Sequence, residues 1–490
     1  MPSSDQISSA GVSRTSTFLE SKYSKYFVIP QRYIFCLLAA LIVLNATSIE
    51  YSLEIIALNN FISDKQIQTN DTCPFTNQTQ KRGQIRPTND SLLIYDWKLD
   101  TRYMIRDSFF WGTLLSFIPG GVCSDQLGGK YIVTLSVLFT AFTNLVAPAI
   151  IDMGKGRVGF VIMVRVCLGL FYSVLDAAIM SLLARWAPIY ERATMTALIY
   201  GSKVLGEQIP YLVHKAFQNF TWRPMFYLFA CVHLILGVSW HLLVYPSPAQ
   251  NPFLTLSEKK YLDEEPDLSL VDGWKEIPWK RLLTSKAFLG LCCFQIGSGW
   301  AWVVFRETLF LYMPRVLKSG ALWESAWWTP LFLYYGLAIF YGFVADWYVK
   351  GRHLSVTAMR KIYILISNFG PALCLIFVSF ERCNEFTVMI YTTISLCLDA
   401  MYFSSNMTNS LDLASNFSGI ITAITGSLEY LIFGLSSRLI NRFFTTEDSL
   451  SQWSFLLWLT CAIEIAGAIV FLMVGSGETQ NWNYVEKAIN

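Results

Sequence analysis

The chain has 490 residues, 53% of them hydrophobic and only 15% charged, with a formal net charge of +2 and a mean hydropathy of +0.41. Soluble enzymes carry roughly a quarter charged residues, so this composition excludes that class and indicates a polytopic membrane protein. No basic face or base-stacking module points to nucleic acid, and a net charge this small singles out no partner.

Residues 1–32 are polar and Ser-rich. They read as a cytoplasmic tail without a cleavable signal, so the first span itself must target the chain. Apolar runs near the ~20 residues needed to cross a bilayer predict helices over 33–58, 104–123, 131–151, 158–184, 193–216 and 224–245, then over 287–313, 328–348, 360–380, 387–405, 418–440 and 453–475. This divides the chain into a bundle over 33–245, a polar cytoplasmic linker over 246–286, a second bundle over 287–475 and a cytoplasmic tail over 476–490. Short loops on one side carry Lys130, Arg185, Arg192, Lys350, Arg352, Arg360 and Lys361, and the positive-inside bias puts that side in the cytoplasm. The long polar loop over 59–103 holds N-x-S/T sequons at Asn70, Asn77 and Asn89, and a fourth starts at Asn219. All four fall on the opposite side, where glycosylation requires them. The sequons at Asn45 and Asn406 lie within helices and are read as chance. Cys73 and Cys383 fall in loops of the same outer side, which allows a disulfide without assigning one.

The second predicted helix runs into "GGVCSDQLGGK" and the eighth into "GFVADWYVKGR". Aligning Gly121 with Gly342 brings Asp125 onto Asp346, each followed by basic residues. One device at equivalent places in two six-helix halves is an internal repeat. It predicts an all-α, twelve-helix bundle of the major facilitator kind. Glycine permits close approach of two backbones, and an aspartate can accept from a helix N-terminus or pair with an arginine. Gly121, Asp125, Gly128, Gly129, Lys130 and Asp346 are therefore expected to form a gate, with Arg192, Arg185 and Glu191 of "RWAPIYER" pairing with Asp125 across it.

The stretch "SFFWGTLLSFIPGGVCSDQLGGKY" resembles the anion:cation symporter branch of that superfamily, solute-carrier family seventeen, with sialin, the vesicular glutamate and nucleotide transporters and the sodium/phosphate cotransporter-like proteins. "RVCLGL", "RWAPIYERA", "WRPMFY", "IPWKRLLTSKAF", "TAMRK", "NSLDLASNFSGI" and "GSGETQNW" extend the likeness from the first helix to Trp482. The resemblance implies that Arg165 corresponds to the branch's helix-four arginine, which would bind a substrate carboxylate. It also implies departures. Ser48 stands where the branch often has arginine, Glu50 where asparagine is common, Tyr172 where a proton-coupling glutamate is usual, Arg106 for a histidine and Asp107 for a glycine. Arg306 in "GWAWVVFRETLF" aligns loosely with a second cavity cation.

Ionisable residues at bilayer depth are functional candidates by default, here Glu50, Glu54, Arg106, Asp107, Arg165, Asp176, Lys203, Glu207, Arg306, Glu307, Asp399 and Glu429. At ~1.5 Å per residue Arg165 and Glu50 lie roughly 10 and 12 Å inside the outer surface, so they share a level. Arg165 is read either as a substrate ligand or as a structural partner of Glu50. Glu50 and Glu54 share a helix face. With the usual proton carrier replaced, Glu50 is the first candidate for coupling, and Glu54 and Glu207 follow. Substrate contacts are expected from Arg165, Arg306, Tyr172 and Ser48. Arg306 and Glu307, adjacent on a helix, cannot both face the cavity centre. Asp412 is read as a gate or packing contact.

No P-loop, metal-ligand spacing or hydrolase motif occurs, so no enzyme, cofactor or metal is expected. The leading expectation is secondary active transport of a small organic anion or phosphate, coupled to protons, sodium or membrane potential, by a monomer in a lipid bilayer. Rival readings are a zwitterionic or cationic substrate, and a non-transporting sensor. The plasma membrane is the first expected residence, a vesicular or lysosomal membrane the second.

Overall fold

The computed structural model describes residues 29–58, 73, 99–153, 157–216, 222–262, 277–308, 312–313, 316–317, 328–381, 383–443 and 449–484. The four expected glycosylation sites, Asn70, Asn77, Asn89 and Asn219, lie outside them, as does the side chain of Glu54.

Six long helices build the first half: α1 (Gln31–Leu58), α2 (Leu99–Leu127), α3 (Gly129–Met153), α4 (Val158–Trp186), α5 (Arg192–Ala216) and α6 (Arg223–Leu243). Six more build the second: α7 (Lys286–Glu307), α8 (Trp328–Lys350), α9 (Val356–Phe380), α10 (Glu385–Asp399), α11 (Ser418–Phe443) and α12 (Leu450–Val474). α10 is carried on by a π turn over Phe403–Met407 and a last helical stretch, Thr408–Leu413. Among the described residues no strand occurs, and ten helices are long and apolar enough to cross a membrane. The two long helices outside that set, α2 and α5, carry Arg102, Arg106, Asp107 and Asp125, and Lys203 and Glu207. This is the expected twelve-helix, two-bundle architecture, and its charges are concentrated in helices that meet the other half: α2 packs on α11, and α5 on α8.

The main corrections to the sequence reading are at helix ends. "GGVCSDQL" is not loop: α2 continues to Leu127, and the turn is Gly128 alone, at φ 84°. That left-handed backbone suits glycine, and α3 begins at the next residue. "GFVADWYVK" is likewise the last part of α8. Local apolarity falls before the helix does, because Asp125 and Asp346 find partners on the other half. The ends of the bundle are named here by their loops: the basic end carries the Gly128 turn and the 351–355 turn, and the far end carries the opposite loops.

Short elements cover the basic end. Helix Leu256–Leu262 of the linker docks under α1, where Glu258 accepts from the backbone N–H groups of Gln31 and Arg32 at 3.0 and 3.1 Å. A carboxylate at a helix N-terminus is stabilising. Arg32 also bridges Glu191 at 2.8 Å. Burial and the Glu191 charge push the Tyr261 hydroxyl up to about 12, so it stays protonated and donates to Glu191 at 3.4 Å. After α12 the chain returns beneath the second half, with Gln480 N–H donating to Leu413 O at 2.9 Å. At the far end a disulfide joins Cys73 to Cys383, tying the loop after α1 to the other half. The sequons at Asn45 and Asn406 are buried as expected, and Asn45 donates to Phe229 O at 3.1 Å.

Candidate functional site: a central cavity closed at both ends

Between the halves lies a cavity of about 120 Å³. Its first-half wall includes Glu50 and Tyr51 of α1, Tyr172 and Asp176 of α4, and Lys203 and Glu207 of α5. Its second-half wall includes Trp302 of α7, Tyr334 of α8, Asp399 of α10, Glu429 of α11 and Glu464 of α12. Tyr402, Phe403 and Met407, from the interrupted stretch of α10, also line it. A π turn often marks a functional site.

Charge is distributed unequally in this lining. Six carboxylates and one ammonium face the cavity among the described residues. Lys203 Nζ lies 2.5 Å from Asp176 Oδ2 and over the rings of Tyr172 and Tyr200 at 5.4 and 5.5 Å. On the other wall, Tyr334 donates to Asp399 at 2.9 Å. Gln295 Nε2 donates to Glu429 at 2.6 Å, and its Oε1 accepts from Asn406. Glu464 is buried, and its Oε2 has no hydrogen-bond partner.

The basic end is closed by two related contacts. Asp125 of α2 accepts from the backbone N–H groups of Gly419 and Ile420 at 3.2 and 2.9 Å, at the N-terminus of α11. Asp346 of α8 accepts from the N–H groups of Ala193 and Thr194 at 3.1 and 2.8 Å, at the N-terminus of α5. Each half thus caps a helix of the other. The matching glycines allow the crossings: a Cβ on Gly121 would lie 2.6 Å from both Ala423 Cβ and Gly419 O, and one on Gly342 would lie 2.8 Å from Thr194 Cα.

The far end is closed differently. Arg106 of α2 pairs with Glu307 of α7 at 3.0 Å, both buried. Arg438 of α11 pairs with Asp107 of α2 at 2.8 Å, and Arg306 donates to Tyr51 OH at 3.0 Å.

The structure places the anticipated residues unevenly. Glu50, Glu207 and Tyr172 line the cavity. Arg165 is not among the lining residues. It meets Glu50 at the anticipated level, but Nη1 donates to the Glu50 backbone carbonyl at 2.5 Å, with longer bonds to the Ile105 and Arg106 carbonyls. Its side chain runs between α1 and α2 rather than inward. Ser48 is fully buried and donates to Gly206 O at 3.0 Å, because its face of α1 packs against α5. Arg306 sits at the far-end closure, and Glu307 takes Arg106 as its near partner while staying within 4.0 Å of Arg306.

In the gate, Gly129 is pressed against α4 and Lys130 lies over Tyr245 at 4.9 Å. Both contacts are within the first half, because α3 packs on α4 and α6. Arg192 does reach the other half, but at Asp412 (3.8 Å) and Leu411 O (3.4 Å), not by the expected pairing with Asp125. Asp412 is held mainly by Arg360, at 2.8 Å. Sequence reasoning passed over Glu464, although a single carboxylate inside "LTCAIEIAGAIVFL" is itself a signal. It noted Asp176, Lys203, Asp399 and Glu429 as intramembrane charges without assigning them to the site.

The family model described as the Major Facilitator Superfamily matches residues 104–437. Human sialin is 28% identical over 392 residues, covering 79% of this chain and 78% of that protein. Mouse sodium-dependent phosphate transport protein 1 is 24% identical over 401 residues, covering 79% and 83%. The solved structure of a proton:xylose symporter superposes with a TM-score of 0.66 at 13% identity, covering 94% of this chain and 98% of that one. The resemblance to the sialin and phosphate-cotransporter branch read from the motifs is thus matched by the chain's relatives, and the chain belongs to the Major Facilitator Superfamily.

Proposed function

We propose that this protein is a secondary active transporter that moves a small organic solute by alternating access, with its basic end in the cytoplasm. The observation that carries the reading is the reciprocal closure, in which Asp125 caps α11 and Asp346 caps α5 beneath a central cavity. Hydrogen bonds from helix-end amides to a carboxylate break as a pair when two rigid halves rock, and alternating access in such folds is rocking of one repeat against the other. Glu50 and Glu207 are the coupling carboxylates in this reading, with Glu54 on the same helix as Glu50. Arg165 holds α1 in register beside Glu50. Kinship makes organic anions and phosphate the first class to offer, since one relative is named for phosphate transport. The outer loop would carry glycans at Asn70, Asn77 and Asn89, with Asn219 on the same side. The plasma membrane is the first residence to examine, and vesicular membranes the second.

The test is uptake into proteoliposomes under imposed proton or sodium gradients. Labelled glutamate, sialic acid, urate, ATP and phosphate are offered beside a panel of amines. Gradient-driven accumulation is expected, and Glu50→Gln should abolish it while sparing exchange. Equal loss of accumulation and exchange would remove Glu50 from the coupling role. Ligand binding without any exchange would indicate a sensor instead.

A further inference from the structure

We infer that the tail after α12 is a positioning strap for the basic-end latch: Trp482 and Asn483 hold the turn before α11 in the arrangement that lets Asp125 accept from Gly419 and Ile420. The inference rests on the transporter reading and adds a control element to it. The stretch "GSGETQNW", residues 475–482, leaves α12 and folds back under the second half. Gly477 N–H donates to Thr357 Oγ1 at 3.0 Å, and Gln480 N–H donates to Leu413 O at 2.9 Å. The short helical turn Asn481–Asn483 then meets a second one, Ser415–Phe417. Asn416 N–H donates to Asn483 Oδ1 at 3.1 Å, and Asn416 Nδ2 donates to Asn483 O at 3.0 Å. Trp482 packs on Phe417 with ring centroids 6.3 Å apart, and both rings and Asn483 are buried.

The place of these contacts gives them a role. The strap partners Thr357, Leu413, Asn416 and Phe417 all belong to the second half, so these contacts do not themselves join the halves. The turn they grip does. Ser415–Phe417 packs on α4 of the first half, Ser418 Oγ donates to Met180 O at 3.5 Å, and the next two residues are the donors to Asp125. Ordering free backbone costs conformational entropy. A turn ordered in advance removes that cost from closure, while the open state makes no use of the order. The first half has a counterpart at the matching place. Glu191, the residue before α5, is held by Arg32 and by Tyr261 of the linker helix, and Ala193 and Thr194 just beyond it donate to Asp346. Each latch helix thus starts beside a residue gripped by a segment outside the bundle.

The experiment uses the full-length protein in sealed vesicles, with the nine free cysteines replaced and one cysteine placed at cavity residue Ser298. Side-specific thiol labelling reads which end is open and needs no substrate. Trp482→Ala and Asn483→Leu should each raise labelling from the basic side by about tenfold and lower it from the far side. Trp482→Phe keeps a ring and Asn483→Asp keeps the acceptor, so both should stay near the parent. In an Asp125→Asn background the strap variants should add little, because residues that act through one contact are not additive. Melting temperatures confirm folding. Gln480→Pro removes one strap N–H at a φ of −81° that proline adopts, and serves where a side-chain variant does not fold. Strap variants that leave labelling unchanged while Asp125→Asn raises it would overturn the inference. So would strap effects of full size in the Asp125→Asn background. Labelling that no variant moves, Asp125→Asn included, would overturn the alternating-access reading and the strap with it.

Discussion

The two ends of the bundle are closed by different chemistry. At the basic end a carboxylate of each half accepts from backbone amides at the start of a helix in the other. At the far end arginines meet carboxylates side chain to side chain, and the contacts are not copied between the halves. Backbone donors are fixed by the helix that carries them, so the basic closure needs close backbone approach, which Gly121 and Gly342 supply. Side-chain pairs tolerate more displacement but expose buried charge when they part. The basic end is thus a geometric latch, and the far end an electrostatic one.

Four sets of substitutions sharpen this comparison, all read by side-specific thiol labelling of a cysteine placed at cavity residue Ser298 in sealed vesicles. The largest effect is expected from Arg106→Ala. Breaking the buried pair from one side leaves Glu307 with the longer Arg306 contact at 4.0 Å, at a cost of up to about 3 to 5 kcal/mol, so far-side labelling should rise steeply. Adding Glu307→Gln should restore part of the closed population, and failure to do so would show that Arg106 acts through packing. Gly121→Ala or Gly342→Ala comes next. Overpacking at a rigid crossing costs ~1–3 kcal/mol, so labelling from the basic side should increase while the far side falls.

Asp125→Asn and Asp346→Asn keep the shape but lose the charge. A charge-assisted bond contributes about 1.5 to 3 kcal/mol, and a loss of ~2 kcal/mol shifts a two-state population roughly thirtyfold. The two variants should resemble each other, since their contacts are equivalent; a large effect from only one would break the reciprocity. Arg438→Ala should have the smallest effect. Arg438 is 54% exposed, so solvent screens its side of the pair, and the buried Asp107 keeps Arg106 at 3.8 Å when Arg438 is removed. A shift as large as that of Arg106→Ala would contradict the division between the buried and the wet pair.

The latch at the basic end was legible in the sequence because a repeat writes the same spacing twice, Gly121 to Asp125 and Gly342 to Asp346. The far-end pairs were not, because Arg106 and Glu307 are 201 positions apart and no repeat marks them. Helix existence followed from apolar runs, but the ends of α2 and α8 were set too early, since polar residues there are paired across the halves. Depth was read correctly for Arg165 and Glu50, which meet. Direction was left open between a substrate and Glu50, because the reach of an arginine depends on how α1, α2 and α4 pack. The acidic lining was visible only in pieces: α12 is so apolar overall that Glu464 was passed over, and Lys203 finds Asp176 only once α4 and α5 are brought together.

The most direct measurement is of distances across each end by double electron–electron resonance, with the nine free cysteines replaced. Nitroxides at the exposed positions Leu127 and Trp347 report the basic end, and at Met153 and Phe380 the far end. In the Asp125→Asn, Asp346→Asn double variant the basic-end distance should lengthen while the far-end distance does not, and Arg106→Ala should lengthen only the far end. Both distances growing together, or neither responding, would contradict alternating access through these closures.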